Sequence, residues 1–114
     1  SLNHSPTTEI IKAVNYINKH LHEDTSIETL ADLINLSVSR FKHRFKKELG
    51  IPPGEFIMRQ KIDYAKNNHQ SYKSIQSLAF SLGFSSSNYF ASVFKKFTGS
   101  TPSGYFENSK ELAL

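Results

Sequence analysis

A basic and aromatic stretch in the middle of the chain holds the residues with the clearest capacity for chemistry. Basic side chains alternate there with rings: Arg40, Phe41, Lys42, His43, Arg44, Phe45, Lys46 and Lys47. Residues 36–66 carry 8 basic and 3 acidic side chains, in a chain whose net charge is +4. A local basic face of this kind predicts a polyanionic partner, most often nucleic acid.

Helical geometry divides this stretch into an inner and an outer face. At about 100° per residue, the apolar positions share one sector that we expect to face a core: Val38, Phe41, Phe45 and Leu49. The neighbouring sector carries Ser39, Lys42 and His43, whose donors and acceptors suit the base edges of a major groove about 12 Å wide. Other basic positions are expected to meet phosphates, which add affinity without sequence information: Arg40, Lys46 and Lys47.

This stretch belongs to one copy of an internal repeat. Ser26–Ala31 aligns with Ser74–Ala79 at an offset of 48 residues, and Phe41–Pro53 aligns with Phe90–Pro102 at an offset of 49. A period this long indicates that one supersecondary unit was used twice. Each copy has the pattern of a helix, a short turn and a second helix, which is typical of a DNA-binding helix-turn-helix.

The repeat transfers the assignment to the second copy. The base-reading positions map to Asn88, Ala91 and Ser92, and Lys95 takes the phosphate position. Ser87 lies one residue upstream of Asn88, and we expect it to reach a base edge as well. The Asn88 amide matches adenine N6 and N7, whereas Ala91 offers only a methyl contact. Because this face is small and weakly charged, we expect it to add less electrostatic affinity than the first. The pattern leaves open whether the second copy reads bases or only phosphates.

The elements that must position these faces are predicted to be helices throughout. We expect a first helix at about 7–22, capped by Ser5 or Thr7. The two helix-turn-helix units are expected at about 25–50 and 74–98. A linker helix at about 53–68 lies between them, with Lys61 on its solvated side.

Cap and turn residues support these bounds. Thr25 and Glu28 have the spacing of a capping box. Asn35 and its counterpart Gly83 are residue types that accept a left-handed backbone at a turn. The recognition helices, at about 38–49 and 86–97, have serines as natural caps: Ser37 and either Ser85 or Ser86.

Composition narrows the classes of function. The absence of cysteine removes disulfides and thiolate metal sites, and the five histidines are scattered without an acidic residue to complete a metal set. No glycine-rich phosphate loop or nucleophile with an adjacent base is present. We therefore expect no enzyme, metal or cofactor. No apolar run could cross a bilayer and no signal peptide is recognisable, so we expect a cytoplasmic, nucleoid-associated protein.

The chain resembles the AraC/XylS family of bacterial transcription regulators. Its second copy matches the family signature closely over Gly83–Phe90, Phe94–Gly99 and Thr101–Tyr105, and its first copy resembles the family's less uniform first helix-turn-helix. The resemblance covers about 7–107, which leaves 1–6 as a disordered tail and 108–114 as a C-terminal tail. It implies an all-α domain of about seven helices, in which a linker helix holds two recognition helices in successive major grooves.

Site residues carried over from the family agree with the analysis of the two faces. The implied base contacts are Ser39, Lys42, His43, Ser87, Asn88, Ala91 and Ser92. Apart from the resemblance, the phosphate contacts that we expect are Ser37, Arg40, Lys46, Lys47, Ser86, Lys95 and Lys96. Because the two reading faces differ, we expect two unlike half-sites about 10 base pairs, or about 34 Å, apart.

Three departures from the family pattern stand out. The family usually has arginine at the positions of Phe106 and Lys61, and apolar residues at those of Asn68 and His69.

Family members generally fuse this domain to a sensory or dimerisation module. We therefore expect this chain to be the output end of a longer regulator, with duplex DNA and RNA polymerase as its partners.

Two other functions compete with this interpretation. A helical protein-interaction module could use the same basic face to bind an acidic protein, but it would show neither sequence preference nor steep salt dependence on duplex DNA. RNA binding is disfavoured because the repeat lacks aromatic residues on a sheet and a cleft for a single strand.

Overall fold

A computed structural model describes the backbone of residues 6–113 and the side chains up to Glu107. The chain divides into two compact units, Ser1–Ile57 and Met58–Leu114. Over the described residues the fold is all-α, as the sequence predicted, with seven α-helices and a short 3-10 turn at His69–Ser71. The helices are α1 (Thr8–Lys19), α2 (Ile27–Leu33), α3 (Val38–Leu49), α4 (Pro53–Asn68), α5 (Ile75–Ser81), α6 (Ser87–Thr98) and α7 (Pro102–Ala113).

The two copies of the repeat begin with the same serine cap. The Ser26 hydroxyl accepts a hydrogen bond from the backbone amide of Thr29 at 3.1 Å, and the Ser74 hydroxyl accepts one from Ser77 at 3.0 Å. These bonds satisfy amides that have no partner inside α2 and α5. The predicted capping box of Thr25 with Glu28 is therefore wrong, because the adjacent Ser26 takes the capping position.

The turns inside the two copies also share a backbone conformation. Asn35 has a φ of 58° and Gly83 a φ of 83°, as expected for residues that tolerate the left-handed region. In each copy the amide after this residue reaches back to the preceding helix, from Leu36 to Ala31 at 3.0 Å and from Phe84 to Ala79 at 3.1 Å. Each turn therefore closes its helix by the same hydrogen bond.

Phenylalanines form the centre of the first unit. Phe41 and Phe45 on α3 have no exposed surface, and their ring centroids lie 5.6 Å apart. Phe45 also meets the ring of Phe56 on α4 edge to face at 5.4 Å. The buried residues of this core come from α1 to α4 and the turn after α2: Ile10, Ala13, Ile17, Leu30, Ala31, Ile34, Phe41, Phe45 and Ile57.

The second unit repeats this arrangement around α6. Phe90 and Phe94 have no exposed surface, and Phe90 packs against Phe84 at 5.2 Å between centroids. Phe94 contacts Phe106 of α7 at 5.4 Å. Other buried apolar residues of this unit are Ile62, Ala65, Leu78, Ala79, Leu82 and Val93.

A polar cluster joins the start of α1 to α3. The Glu48 carboxylate accepts hydrogen bonds from the backbone amide of Thr7 at 2.7 Å and from its hydroxyl at 2.9 Å. Arg44 donates to the Thr7 hydroxyl at 2.7 Å and to Glu9 at 2.9 Å. Thr7 precedes α1 without capping it through its side chain, since its hydroxyl is used in this cluster.

The cluster shifts the pKa of both charged partners. Burial alone would raise the pKa of Glu48, but the hydrogen bonds from Thr7 and Arg44 outweigh it and hold that pKa below its ordinary value. The hydrogen bond to Glu9 is the main reason that the pKa of Arg44 is raised, with Glu48 adding to it. The charged forms of both residues are thus favoured in the folded protein.

Two helix ends differ from the sequence-based bounds. Helix α1 stops at Lys19 instead of near residue 22, because the ring of His20 donates to the Tyr16 carbonyl, which the next helical amide would otherwise use. Helix α7 continues to Ala113, through much of the segment that was assigned to a tail. That stretch contains good helix formers and no proline or glycine. Ser5 and the predicted disordered segment up to residue 5 lie outside the described residues.

Within the described residues, none of the helices has the length and apolar character needed to cross a membrane.

The polar cluster makes the free energy of unfolding depend on pH. Because the pKa of Glu48 is lower in the folded than in the unfolded chain, its contribution is complete above the ordinary value of about 4.5 and is lost as the pH falls through the folded value. We expect Glu48→Gln to lower the free energy of unfolding by about 1 kcal/mol at neutral pH. Urea denaturation should show that this difference shrinks as the pH falls below 4.5.

Glu28→Gln is the matched control, since Glu28 is exposed on α2. It should follow the wild-type curve throughout. A difference between Glu48→Gln and the wild type that stays constant with pH would contradict the assignment.

Candidate nucleic-acid interface

The cap and the buried ridge of α3 determine which side chains point outward. The Ser37 hydroxyl accepts a hydrogen bond from the backbone amide of Arg40 at 3.2 Å and starts the helix. Phe41 and Phe45 are fully buried one turn apart, so the opposite side of the helix must face solvent. Gly50, with a φ of 86°, ends the helix in the left-handed conformation.

The outer face of α3 carries every position that the sequence assigned to base or phosphate contact in this helix. All six side chains are exposed, and none makes a hydrogen bond or ion pair within the described part of the chain: Ser39, Arg40, Lys42, His43, Lys46 and Lys47. A shallow surface depression is lined by Lys42, His43, Lys46 and Lys47. The structure thus brings these residues together on one accessible, positively charged surface.

Arg44 is the exception among the basic residues of α3. It lies on the side of the helix that meets the polar cluster, where its guanidinium pairs with Glu9 at 2.9 Å and Glu48 at 3.3 Å. Its charge is therefore used inside the first unit. The remaining cations of α3 have no acidic partner among the described residues, which leaves them available to a polyanion.

Helix α6 is built in the same way. The Ser86 hydroxyl accepts a hydrogen bond from the backbone amide of Tyr89 at 3.0 Å, and Gly99 ends the helix with a φ of 84°. Since Phe90 and Phe94 are buried, the outer side presents the remaining predicted residues. Asn88, Ser92, Lys95 and Lys96 are exposed, whereas Ser87 and Ala91 are half-buried at its edge.

The polar groups of α6 differ in how much of their hydrogen-bonding capacity is already used within the protein. No hydrogen bond to the Asn88 amide occurs within the described residues, so both its donor and its acceptor can meet a base edge. The Ser92 hydroxyl donates to the Asn88 carbonyl at 3.1 Å, so it offers only acceptor capacity until that bond breaks. The capping hydroxyls of Ser37 and Ser86 accept from backbone amides and still carry a proton that can be donated to a phosphate oxygen.

Tyr89 is a surface residue that the sequence analysis did not single out. It lies in the first turn of α6, and 48% of its surface is exposed. Its ring rests against Phe84 edge to face at 5.5 Å, which holds the side chain beside Asn88. Tyr89 directly precedes the buried Phe90, so it lies about 100° around the helix axis from that buried position. This spacing was the signal available in the sequence.

Lys61 contradicts its predicted solvated position. Only 5% of its surface is exposed, and its ammonium group donates to the carbonyl of Leu82 at the end of α5. The same ammonium lies 5.7 Å from the ring centroid of Phe84. A buried lysine is favourable only when its charge is satisfied. Here the charge supports the turn that precedes α6 in the second unit.

Among the residues that the structure describes, no cluster of three or more histidine, cysteine, aspartate or glutamate side chains is placed to hold a metal ion.

Comparison with known proteins places this geometry in a family. A family model described as a helix-turn-helix domain matches residues 30–108. The bifunctional transcriptional activator/DNA repair enzyme AdaA of Bacillus subtilis (strain 168) is 35% identical over 96 residues, which cover 83% of this chain and 46% of that protein. The chain spans less than half the length of the curated relatives that it matches.

Solved structures give the same result. The C-terminal domain of AraT, a response regulator from Geobacillus stearothermophilus, matches with a TM-score of 0.84 and 27% identity, over 90% of this chain and 87% of that one. The DNA-binding domain of the global transcriptional factor AdpA, solved in complex with a target DNA, matches with a TM-score of 0.81 and 28% identity. That match covers 87% of this chain and 90% of the other.

The contact of Lys61 with Leu82 leads to a test of stability. Lys61→Met removes a charged donor from a buried carbonyl, so we expect it to lower the free energy of unfolding by about 1–3 kcal/mol. Lys61→Arg should retain more of the stability, because it keeps a donor and a charge. Urea denaturation measures both.

Lys66→Met serves as the control, since Lys66 is less buried and lies on the same helix. It should change the free energy of unfolding by no more than about 0.5 kcal/mol. Equal effects of Lys61→Met and Lys66→Met would show that the buried contact is not what stabilises the unit.

Proposed function

Because the chain belongs to the AraC-type helix-turn-helix family and is a DNA-binding domain of a transcription regulator, we propose that α3 and α6 each read part of one duplex site. The observation that carries the proposal is the division of charge on α3. Arg44 is neutralised within the first unit, whereas four other cations of the same helix have no intramolecular partner in the described chain: Arg40, Lys42, Lys46 and Lys47.

In the first unit we assign base reading to the N-terminal half of the outer face. Lys42 donates to guanine O6 or N7, and His43 and Ser39 can donate or accept. The phosphate contacts are assigned to Ser37, Arg40, Lys46 and Lys47. Their exposure supports this division, because long cationic side chains on an open helix face can reach a phosphate on either side of the groove.

In the second unit we assign adenine recognition to Asn88. Its unpaired amide and its place in the first turn of α6 support the assignment. Ser87, Ala91 and Ser92 complete the proposed base-reading surface. Ser86, Lys95 and Lys96 are the proposed phosphate contacts of this unit, so it carries fewer cations than the first.

The two reading faces share a backbone frame but have different side chains. We therefore propose an asymmetric duplex site with two unlike half-sites in successive major grooves, about 10 base pairs apart. The structure of the AdpA domain supports the proposal, since that related fold was solved in complex with a target DNA.

The parent protein is proposed to be longer than this chain. The support is that the chain spans less than half of its curated relatives. We propose that a sensory or dimerisation module is fused to it, that RNA polymerase is its further partner, and that it acts in the cytoplasm on the nucleoid. We assign this chain binding and no catalytic step; the repair activity named for AdaA is a property of that protein.

The competing function is a protein-interaction module that binds an acidic partner. DNA binding differs from it by counterion release, which makes the logarithm of the affinity fall linearly with the logarithm of the salt concentration. The salt slope therefore distinguishes the two functions and also counts the phosphates that are contacted.

We expect the double variant Lys46→Ala/Lys47→Ala to bind duplex DNA more weakly at all sequences. Loss of two phosphate contacts should reduce the magnitude of the salt slope by about 2. Fluorescence anisotropy with a labelled duplex, measured over a series of salt concentrations, gives this slope directly.

Lys12→Ala/Lys19→Ala removes the same charge from exposed positions of α1 and is the control. It should leave the slope close to that of the wild type. If the two double variants had the same slope, the outer face of α3 would not be the electrostatic anchor. A wild-type chain that showed no salt-dependent binding to duplex DNA would contradict the proposed function itself.

A further inference from the structure

The first turn of α6 carries an exposed tyrosine that the proposed DNA contacts do not include. About half of the surface of Tyr89 is exposed, and its phenol hydroxyl makes no hydrogen bond within the described residues. A tyrosine hydroxyl can donate one hydrogen bond and also accept one. Its donor is therefore available to a partner, and the place of Tyr89 in the repeat indicates which kind of partner.

Tyr89 occupies the place that Arg40 has in the first copy. The repeat pairs the two residues at its offset of 49. The backbone amide of Arg40 donates to the cap Ser37 at 3.2 Å, and that of Tyr89 donates to the cap Ser86 in the same way at 3.0 Å. Each residue is followed directly by a fully buried phenylalanine. The two side chains therefore leave their helices at the same point of the first turn.

The packing of the Tyr89 ring restricts where its hydroxyl can lie. The ring meets Phe84 edge to face, with 5.5 Å between the centroids. Phe84 is itself buried, and it packs on Phe90 at 5.2 Å between centroids. The Lys61 ammonium lies 5.7 Å from the centroid of the Phe84 ring. A side chain that is already held by its neighbours loses little conformational entropy when it binds a partner.

Tyr89 and Arg40 differ in the kind of donor that they offer from this shared place. The guanidinium of Arg40 is a cation, whereas the phenol hydroxyl of Tyr89 is an uncharged donor. Tyrosine hydroxyls are among the groups that donate to phosphate oxygens in protein–DNA interfaces. Because counterions are released when a cation neutralises a phosphate, a contact from an uncharged hydroxyl adds affinity without adding to the salt dependence.

We propose that the hydroxyl of Tyr89 donates to a phosphate oxygen at the half-site that α6 contacts, as the guanidinium of Arg40 does at the other half-site. This inference rests on the proposed function and adds a contact of a different kind to it. The first unit is then anchored mainly by cations, whose contribution falls as salt rises. The second unit displays fewer cations, and it gains an anchor that counterion release does not weaken.

Tyr89→Phe removes the hydroxyl and keeps the ring that packs on Phe84, so its thermal unfolding should match that of the wild type. The probe is a labelled duplex recovered with the wild-type chain from a random library, and fluorescence anisotropy measures its binding over a series of salt concentrations. Tyr89→Phe should bind this duplex about three- to tenfold more weakly at every salt concentration, because one hydrogen bond is lost. The salt slope should stay unchanged.

Two further variants serve as comparisons. Arg40→Gln should weaken binding and also reduce the magnitude of the salt slope by about 1, because it removes a cationic phosphate contact. Tyr16→Phe removes a hydroxyl from α1 in the first unit, and it should bind the duplex like the wild type. The pair Tyr89→Phe and Arg40→Gln thus separates the two kinds of phosphate contact at equivalent places of the repeat.

Tyr89→Arg tests the position of the side chain independently of the hydroxyl. If residue 89 faces a phosphate, the added guanidinium should increase the magnitude of the salt slope by about 1. Selection from the random library with Tyr89→Phe then separates a phosphate contact from a base contact. It should return the wild-type motif, because a phosphate contact carries no sequence information.

Any of three results would overturn the proposal. Tyr89→Phe binds the duplex as tightly as the wild type, Tyr89→Arg leaves the salt slope unchanged, or Tyr89→Phe selects a different motif, which would assign the hydroxyl to a base. A wild-type chain that fails to bind duplex DNA would contradict the proposed function before any variant is compared. The failure of the proposed function is therefore distinguishable from the failure of the Tyr89 contact.

Discussion

Burial of paired phenylalanines is the constraint on which the rest of this structure depends. Phe41 with Phe45, and Phe90 with Phe94, are four residues apart and fully buried on the inner side of their helices. Each buried ring contributes on the order of 1.5–3 kcal/mol relative to exposure, so rotating either helix would be costly. The burial of these rings therefore fixes how α3 and α6 are rotated about their own axes. The residues on the opposite side of each helix are then the ones that can contact a partner.

The two copies of the repeat share their buried phenylalanines, caps and turns, but they differ in the side chains on the outer faces of their helices. Serine caps, left-handed turns and glycine ends recur in both copies, with Gly50 and Gly99 differing by only 2° in φ. The outer faces differ: α3 displays four cations that have no acidic partner among the described residues, whereas α6 displays an amide, hydroxyls and two lysines. One way of building a helix thus presents two chemically unlike surfaces. This is the physical basis for proposing an asymmetric duplex site.

The features that sequence could predict are those with local causes. Hydrophobic spacing, turn residues and the repeat predicted the all-α fold, the conformation of Asn35 and the outward side of α3. Contacts between distant residues were beyond that reasoning. Lys61 has the type of a solvated residue, and only the approach of the Leu82 carbonyl explains its burial. Thr7 was one of two residues expected to cap α1, but Glu48, 41 residues away, takes its hydroxyl. His69 and Phe106 were noted as separate departures from the family pattern, whereas the structure stacks one on the other.

The central claim is that two unlike helix faces read one DNA site, and selection from a random duplex library with this chain tests it most directly. At near-physiological salt, the account predicts two different half-motifs in a fixed orientation, about 10 base pairs apart. Repeating the selection with Asn88→Ala should relax the sequence in one half-motif and leave the other intact. Enrichment of a single short motif, unaffected by Asn88→Ala, would contradict reading by α6. A library that shows no enrichment at all would contradict sequence-specific recognition by the chain.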